Sequence, residues 1–401
     1  MKTISILFSL LVPAGLLAQN QNLNPRAFEA LCQHFHTYVD EGVLPGTLIY
    51  IEKEGVLNKD VYGFQDIARG IPMSESSIFR WASMTKPITA TAIMMLVEAG
   101  KLQLDDAVSL YLPEVTNMSV YQGDSRVGNI MTIRHLLSHT SGITSGFDRS
   151  AAGQAAAKQL AQARVHNLKE LVAAVCSTQL AFEPGKGWAY GYSNDLLACI
   201  IERVSGMPVE QFFKQHIFEP LEMKHTAFQV KEVDALTSVY APNEAGELLA
   251  VETAANSRYV NGQNFARGNG GLAGPASDYL NFCRMLLKGG TFRGRRLLSP
   301  ESVRAMMHNE VGEEWLPLKI LNTSLTGQGY GLGLGVLMPD APFGHAGDVF
   351  WPGALYTYFF INTQQQTIGI FMTQMRDMSR MSMMGEFHDL ATKACEEQTK
   401  R

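Results

Sequence analysis

Apolar and polar positions change their rhythm along the chain, and each rhythm predicts an element. From Asn24 to Asp40 the apolar residues recur at helical spacing, as in an amphipathic helix. Gly46 to Glu54 and Val56 to Gly63 read as two antiparallel strands. Ile88 to Ala99, with its run Ile93-Met94-Met95-Leu96-Val97 and a stop at Gly100, is apolar nearly all round and predicts a buried helix. Between about Leu102 and Glu232 helical patterns are broken by turn signals, with few strands. Further on, Asn269-Gly270-Gly271 precedes more helix. Gly344-His345-Ala346-Gly347 then opens a run of three β-like segments, including Ala354 to Ile361 and Gln366 to Thr373, before a helix from about Met381 to Cys395. Strands at both ends with helices between predict an α+β chain. One antiparallel sheet is built from the two termini, flanked by helices, with an all-helical lobe inserted. The expected boundaries are a sheet lobe at about 24–100 and 240–395, a helical lobe at about 101–239, and a single domain over 19–395.

The first residues follow a different logic. Met1-Lys2 and the apolar run Ile4 to Ala18 read as a secretory signal peptide over 1–18, too short to span a bilayer. An exported protein, periplasmic or secreted, is expected, without a stable membrane anchor. The net charge of −5 gives no electrostatic case for nucleic acid. Five scattered cysteines, Cys32, Cys176, Cys199, Cys283 and Cys395, leave at least one free thiol and suit buried packing better than a disulfide framework. His34 and His36 stand beside Cys32, but residues two apart on a helix point in different directions, which argues against a metal site. No metal or cofactor is expected.

Chemistry enters at Ser83-Met84-Thr85-Lys86, the sole Ser-x-x-Lys of the chain, where irregular sequence passes into the buried helix. Residues three apart share a helix face, so Lys86 can reach Ser83; a lysine whose pKa is lowered by burial can take the proton from a serine hydroxyl. Read alone, the same tetrad fits a helix cap followed by a solvated lysine. Glu183-Pro184-Gly185 leads into Tyr192-Ser193-Asn194, a Tyr-x-Asn also matched by Tyr259-Val260-Asn261 and Tyr279-Leu280-Asn281.

In this order, Ser-x-x-Lys, a Pro-Gly-led Tyr-x-Asn and a late His345-Ala346-Gly347 resemble the serine β-lactamase and penicillin-binding-protein superfamily, most of all its class C β-lactamase and family VIII carboxylesterase branch. The stretches Phe79 to Ser83, Thr132 to Gly142, Gly270 to Leu280 and Tyr330 to Gly333 carry the same resemblance. It implies that Ser83 is the nucleophile and that Lys86 and Tyr192 share the proton transfers. It further implies that Asn194 orients Lys86 and meets a substrate amide, and that the N–H groups of Ser83 and Asp348 form the oxyanion hole. Gly347 would permit the close approach, and His345 would face the substrate. The superfamily's usual Lys-Thr-Gly is replaced here by His345-Ala346-Gly347, and a histidine near its reference pKa is mostly neutral at pH 7. The expectation is therefore a hydrolase of small uncharged acyl esters. A β-lactamase or D-amino-acid peptidase is the alternative. An acyltransferase or a non-catalytic peptidoglycan-binding relative stands further off. A small-molecule ester or amide is the expected partner.

Overall fold

The computed structural model describes residues 23–123, 128–146, 149–321 and 323–396. The leader read at 1–18 lies outside them. Eight strands form the main sheet: β1 (Gly46–Lys53), β2 (Val56–Asp66), β3 (Ile71–Pro72), β4 (Gln328–Tyr330), β5 (Gly335–Leu337), β6 (Val349–Gly353), β7 (Thr357–Asn362) and β8 (Thr367–Met372). Their order is β4-β5-β6-β7-β8-β1-β2-β3, antiparallel at every pairing. The seam between β1 and β8, with Leu48 opposite Met372 and Lys53 opposite Thr367, joins the two ends of the chain. The α+β architecture with a sheet built from both termini is what the structure shows.

Strand alternation sends Ile49 and Ile51 to one face and Leu48 and Tyr50 to the other, and both faces are buried. The first face is covered by α1 (Pro25–Asp40) and by the C-terminal helix Met383–Cys395, through Phe35, Phe371 and Phe387. Asn24 caps α1 by accepting from the Ala27 N–H at 3.2 Å, and Pro25 occupies the first helical position, where its missing N–H costs nothing. Against the second face lie α2 (Lys86–Glu98) and α3 (Ala276–Leu287). Nearly every residue of α2 is buried, because its far side packs on helix Ser193–Ser205. It ends where Gly100 adopts φ +65.

One expected strand is shorter than its apolar run. Ala354 and Leu355 form a turn, closed by the Tyr356 N–H donating to Gly353 O at 3.0 Å, and β7 begins at Thr357. Pro352-Gly353 is the local signal for that break. All five cysteines are free and buried. His34 lies against Glu386 at 3.3 Å, and His36 against Asp60 at 2.8 Å. Among the described residues, no helix is long and apolar enough to cross a membrane.

Candidate active site

Ser83 sits in a short 3-10 helix, Ala82–Thr85, that runs into α2. Ala82, the residue before it, has φ +47, a left-handed conformation that costs a side-chain-bearing residue on the order of 1–3 kcal/mol. The surroundings hold it there: the Trp81 N–H donates to Leu272 O at 2.9 Å, and Trp81 O accepts from Thr357 Oγ1 at 3.2 Å. The Tyr279 hydroxyl donates to Met84 O at 3.0 Å. The amide of Ser83 lies in the first turn of its helix, where N–H groups have no intrahelical acceptor.

Lys86 is fully buried, and its Nζ donates to Ser83 Oγ at 3.0 Å and to Asn269 O at 2.8 Å. Burial drives its pKa well below the usual lysine value; Asp195 pulls it back up and Arg267 pushes it further down. The ring that Nζ faces, at 4.6 Å from the centroid, belongs to Tyr190. The Tyr190 hydroxyl hydrogen-bonds with Ser83 and accepts from Trp351 Nε1 at 3.2 Å. Burial lifts its pKa to about 12 against the lowering effect of those two bonds, so the phenol stays protonated at neutral pH.

Tyr192 is therefore not the tyrosine that meets Ser83 and Lys86. It stands at the cap of helix Ser193–Ser205, and its ring lies under the Arg267 guanidinium at 5.8 Å. Tyr190 is two residues earlier in the extended approach to that helix. Asn194 is displaced from its expected role as well. It is buried on the helix with Nδ2 3.3 Å from His139 Nε2, while the carbonyl that holds Lys86 comes from Asn269. Asp195, the next residue, fixes that segment by accepting from the Asn269 N–H at 2.8 Å and from Arg267 at 2.7 Å. A carboxylate opening the apolar run Leu196 to Ile201 was the signal for it.

His345, Gly347 and Asp348 lie elsewhere. They form the turn between β5 and β6, and the Asp348 N–H expected to bind an oxyanion donates to His345 O at 3.0 Å. Asp348 Oδ2 accepts from the His345 N–H at 2.9 Å and lies 2.8 Å from His388 Nε2, whose Nδ1 meets the Tyr358 hydroxyl at 2.8 Å. These bonds make a buried cluster under the C-terminal helix. Gly347 has open space around it; its φ of +89 explains the glycine, not close approach to a substrate.

The opposite end of β6 reaches Ser83, five residues and about 16 Å along the strand. A Cβ on Gly353 would stand 2.5 Å from Trp81 O, so only glycine lets the strand come this near the nucleophile turn. Ala354 follows and lines the cleft with Ser83, and its amide has no acceptor among the described residues. The pair of backbone donors beside Ser83 is thus Ser83 N–H and Ala354 N–H. The cleft that they open into measures about 480 Å³ and is also lined by Tyr192, Arg267 and Asn269.

Comparison with known proteins agrees with this fold. The Beta-lactamase family model matches residues 31–392. Protein Rv1367c of Mycobacterium tuberculosis is 32% identical over 355 residues, covering 84% of this chain and 87% of that protein. Esterase EstB of Burkholderia gladioli is 26% identical over 379 residues, covering 85% and 91%. Among solved structures, EstCE1, described as a hydrolase with promiscuous acyltransferase activity, superposes with a TM-score of 0.79 at 26% identity, over 92% of this chain and 97% of its own. With its Ser-x-x-Lys helix in a cleft between sheet and helices, the chain belongs to the β-lactamase family and is a serine hydrolase of that family, with esterases among its relatives.

Proposed function

We propose that the protein is an exported serine esterase that cleaves small acyl esters through an acyl-enzyme on Ser83. One observation carries the reading: a fully buried Lys86, with its pKa depressed, donates to Ser83 Oγ at 3.0 Å beside an open cleft. Neutral Lys86 takes the proton as Ser83 Oγ attacks the ester carbonyl. The oxyanion forms between the amides of Ser83 and Ala354. Tyr190, kept protonated by burial, gives its proton to the departing alkoxide and recovers it from the Lys86 ammonium. Water then attacks the acyl-enzyme by the same route in reverse. The esterase relatives EstB and EstCE1 support this choice among the activities of the family. The apolar leader supports export.

The experiment is a hydrolysis panel on the mature protein: short and medium p-nitrophenyl esters, a chromogenic cephalosporin and a D-alanyl dipeptide. Mass spectrometry follows the acyl adduct. Ester turnover with an adduct on Ser83, absent in Ser83→Ala, is the expected result. Faster hydrolysis of the cephalosporin than of every ester would replace the reading with a β-lactamase. His345 does not line the cleft, so it does not decide whether the substrate is charged.

A further inference from the structure

The chain as a whole is acidic, at −5, yet the cleft is walled by cations. Arg80, Arg258, Arg267 and Arg376 line it against one carboxylate, Glu252, with Asp195 buried behind. Two of the four are committed. Arg80 is fully buried and donates to Glu252 at 2.8 Å, to Thr237 O at 2.7 Å and to Ser257 Oγ at 3.0 Å. Arg267 is bound to Asp195. Glu252 then has to serve a second guanidinium, accepting from Arg376 Nη2 at 3.0 Å through its other oxygen. Arg258 has no carboxylate partner among the described residues; its guanidinium rests 5.5 Å from the centroid of the buried Tyr259 ring, whose other neighbour is Arg80 at 5.4 Å. Four guanidiniums thus face two carboxylates: Arg258 has none of its own, and Arg376 shares Glu252 with Arg80. Both are exposed to the cleft and anchored, Arg258 by its ring and Arg376 by its backbone N–H on Tyr240 O at 2.7 Å.

We infer that Arg258 and Arg376 form a carboxylate-binding subsite of the catalytic cleft, and that the substrate is an ester carrying a second, ionised carboxyl group. The inference rests on the esterase reading and names its substrate class. A guanidinium offers a planar fork that matches a carboxylate in two parallel hydrogen bonds. A cleft with low-dielectric walls of one sign concentrates the opposite charge from solution.

Two matched pairs of esters test it: p-nitrophenyl valerate against mono(p-nitrophenyl) glutarate, for a carboxylate on the acyl side, and 4-nitrophenyl acetate against 3-carboxy-4-nitrophenyl acetate, for one on the alcohol side. In at least one pair the anionic member should have the higher kcat/KM, by about tenfold at low ionic strength, with the advantage shrinking in roughly 0.5 M salt. Arg258→Gln and Arg376→Gln should each lower the anionic-to-neutral ratio about tenfold, and Arg258→Lys should restore part of it. Equal or faster turnover of the neutral member in both pairs overturns the inference, as does an unchanged ratio in both glutamine variants. If the wild type turns over none of the four esters, the esterase reading fails instead. Calorimetric titration of the Ser83→Ala protein with the glutarate and valerate esters then decides the subsite: selective binding of the glutarate that Arg258→Gln removes upholds it, and absence of selectivity overturns it.

Discussion

The Trp351 indole donates to the Tyr190 hydroxyl at 3.2 Å, tying strand β6 to the loop before helix Ser193–Ser205. That single bond links the two halves of the proposed chemistry. The strand ends in the Ala354 amide, and the loop presents the phenol. The phenol accepts from Trp351 and hydrogen-bonds with Ser83, so the strand holds it beside the oxygen that departs.

Tyr190→Phe should therefore lower kcat by roughly a hundredfold or more, the scale of a lost proton-transfer group, with KM much less affected. Tyr192→Phe removes a hydroxyl but keeps the ring that lines the cleft and supports Arg267, and its kcat should stay within about tenfold. Steady-state kinetics on one alkyl ester, whose alkoxide needs the proton that a p-nitrophenolate does not, separates the two. A dead Tyr192→Phe beside an active Tyr190→Phe would return the role to the Tyr-x-Asn motif.

Much of the fold was legible in the sequence because burial periodicity is a local signal. Gly46 to Lys53 and Thr367 to Met372 are short runs buried on both faces, Ile88 to Glu98 is apolar nearly all round, and each became the element expected. Ser83 and Lys86 were legible because three residues on a helix fix a geometry. What failed was placement across loops. Tyr190 and Tyr192 are separated by a single residue, and which one turns inward depends on the loop's course against Trp351 and Arg267, far away in sequence. His345-Ala346-Gly347 matched a family motif in letters, but the strand that reaches Ser83 does so at its other end. Pro352-Gly353 marked that end, and the apolar run Ala354 to Ile361 concealed it.

The Ala354 amide can be tested through the turn it occupies. Ala354 is the second residue of the turn closed by Tyr356 N–H on Gly353 O, a position where proline fits and removes only the N–H. Ala354→Pro should lower kcat about 100- to 1,000-fold, the loss of one oxyanion donor, with thermal unfolding close to wild type. His345→Ala serves as the contrast, since its side chain is remote from the cleft: its ester kinetics should match wild type. A strong kinetic loss in His345→Ala with none in Ala354→Pro would put the oxyanion hole back at the turn before β6.

Lys86 carries a pH signature that separates its chemistry from its structural cost. Its pKa is depressed in the folded protein by burial, so below the ordinary lysine pKa the unfolded chain binds a proton that the folded chain resists. The folded state therefore bears a penalty. It is full at low pH, shrinks as pH rises between the folded and unfolded pKa values, and vanishes above about 10.5. Lys86→Met fills the same space without a charge to desolvate. It should be inactive yet melt higher than wild type by a few degrees near pH 7, on the order of 1–4 °C, and the gain should shrink steadily from pH 7 to 10. In the wild type, kcat/KM should rise with pH through the lowered Lys86 pKa and reach its plateau well before an ordinary lysine would titrate. Melting curves of the two proteins across that range, with the rate profile of the wild type, check both limbs. A stability difference that does not change with pH, or an activity that climbs only near pH 10, would mean that Lys86 remains an ammonium in the folded protein and that another group takes the Ser83 proton.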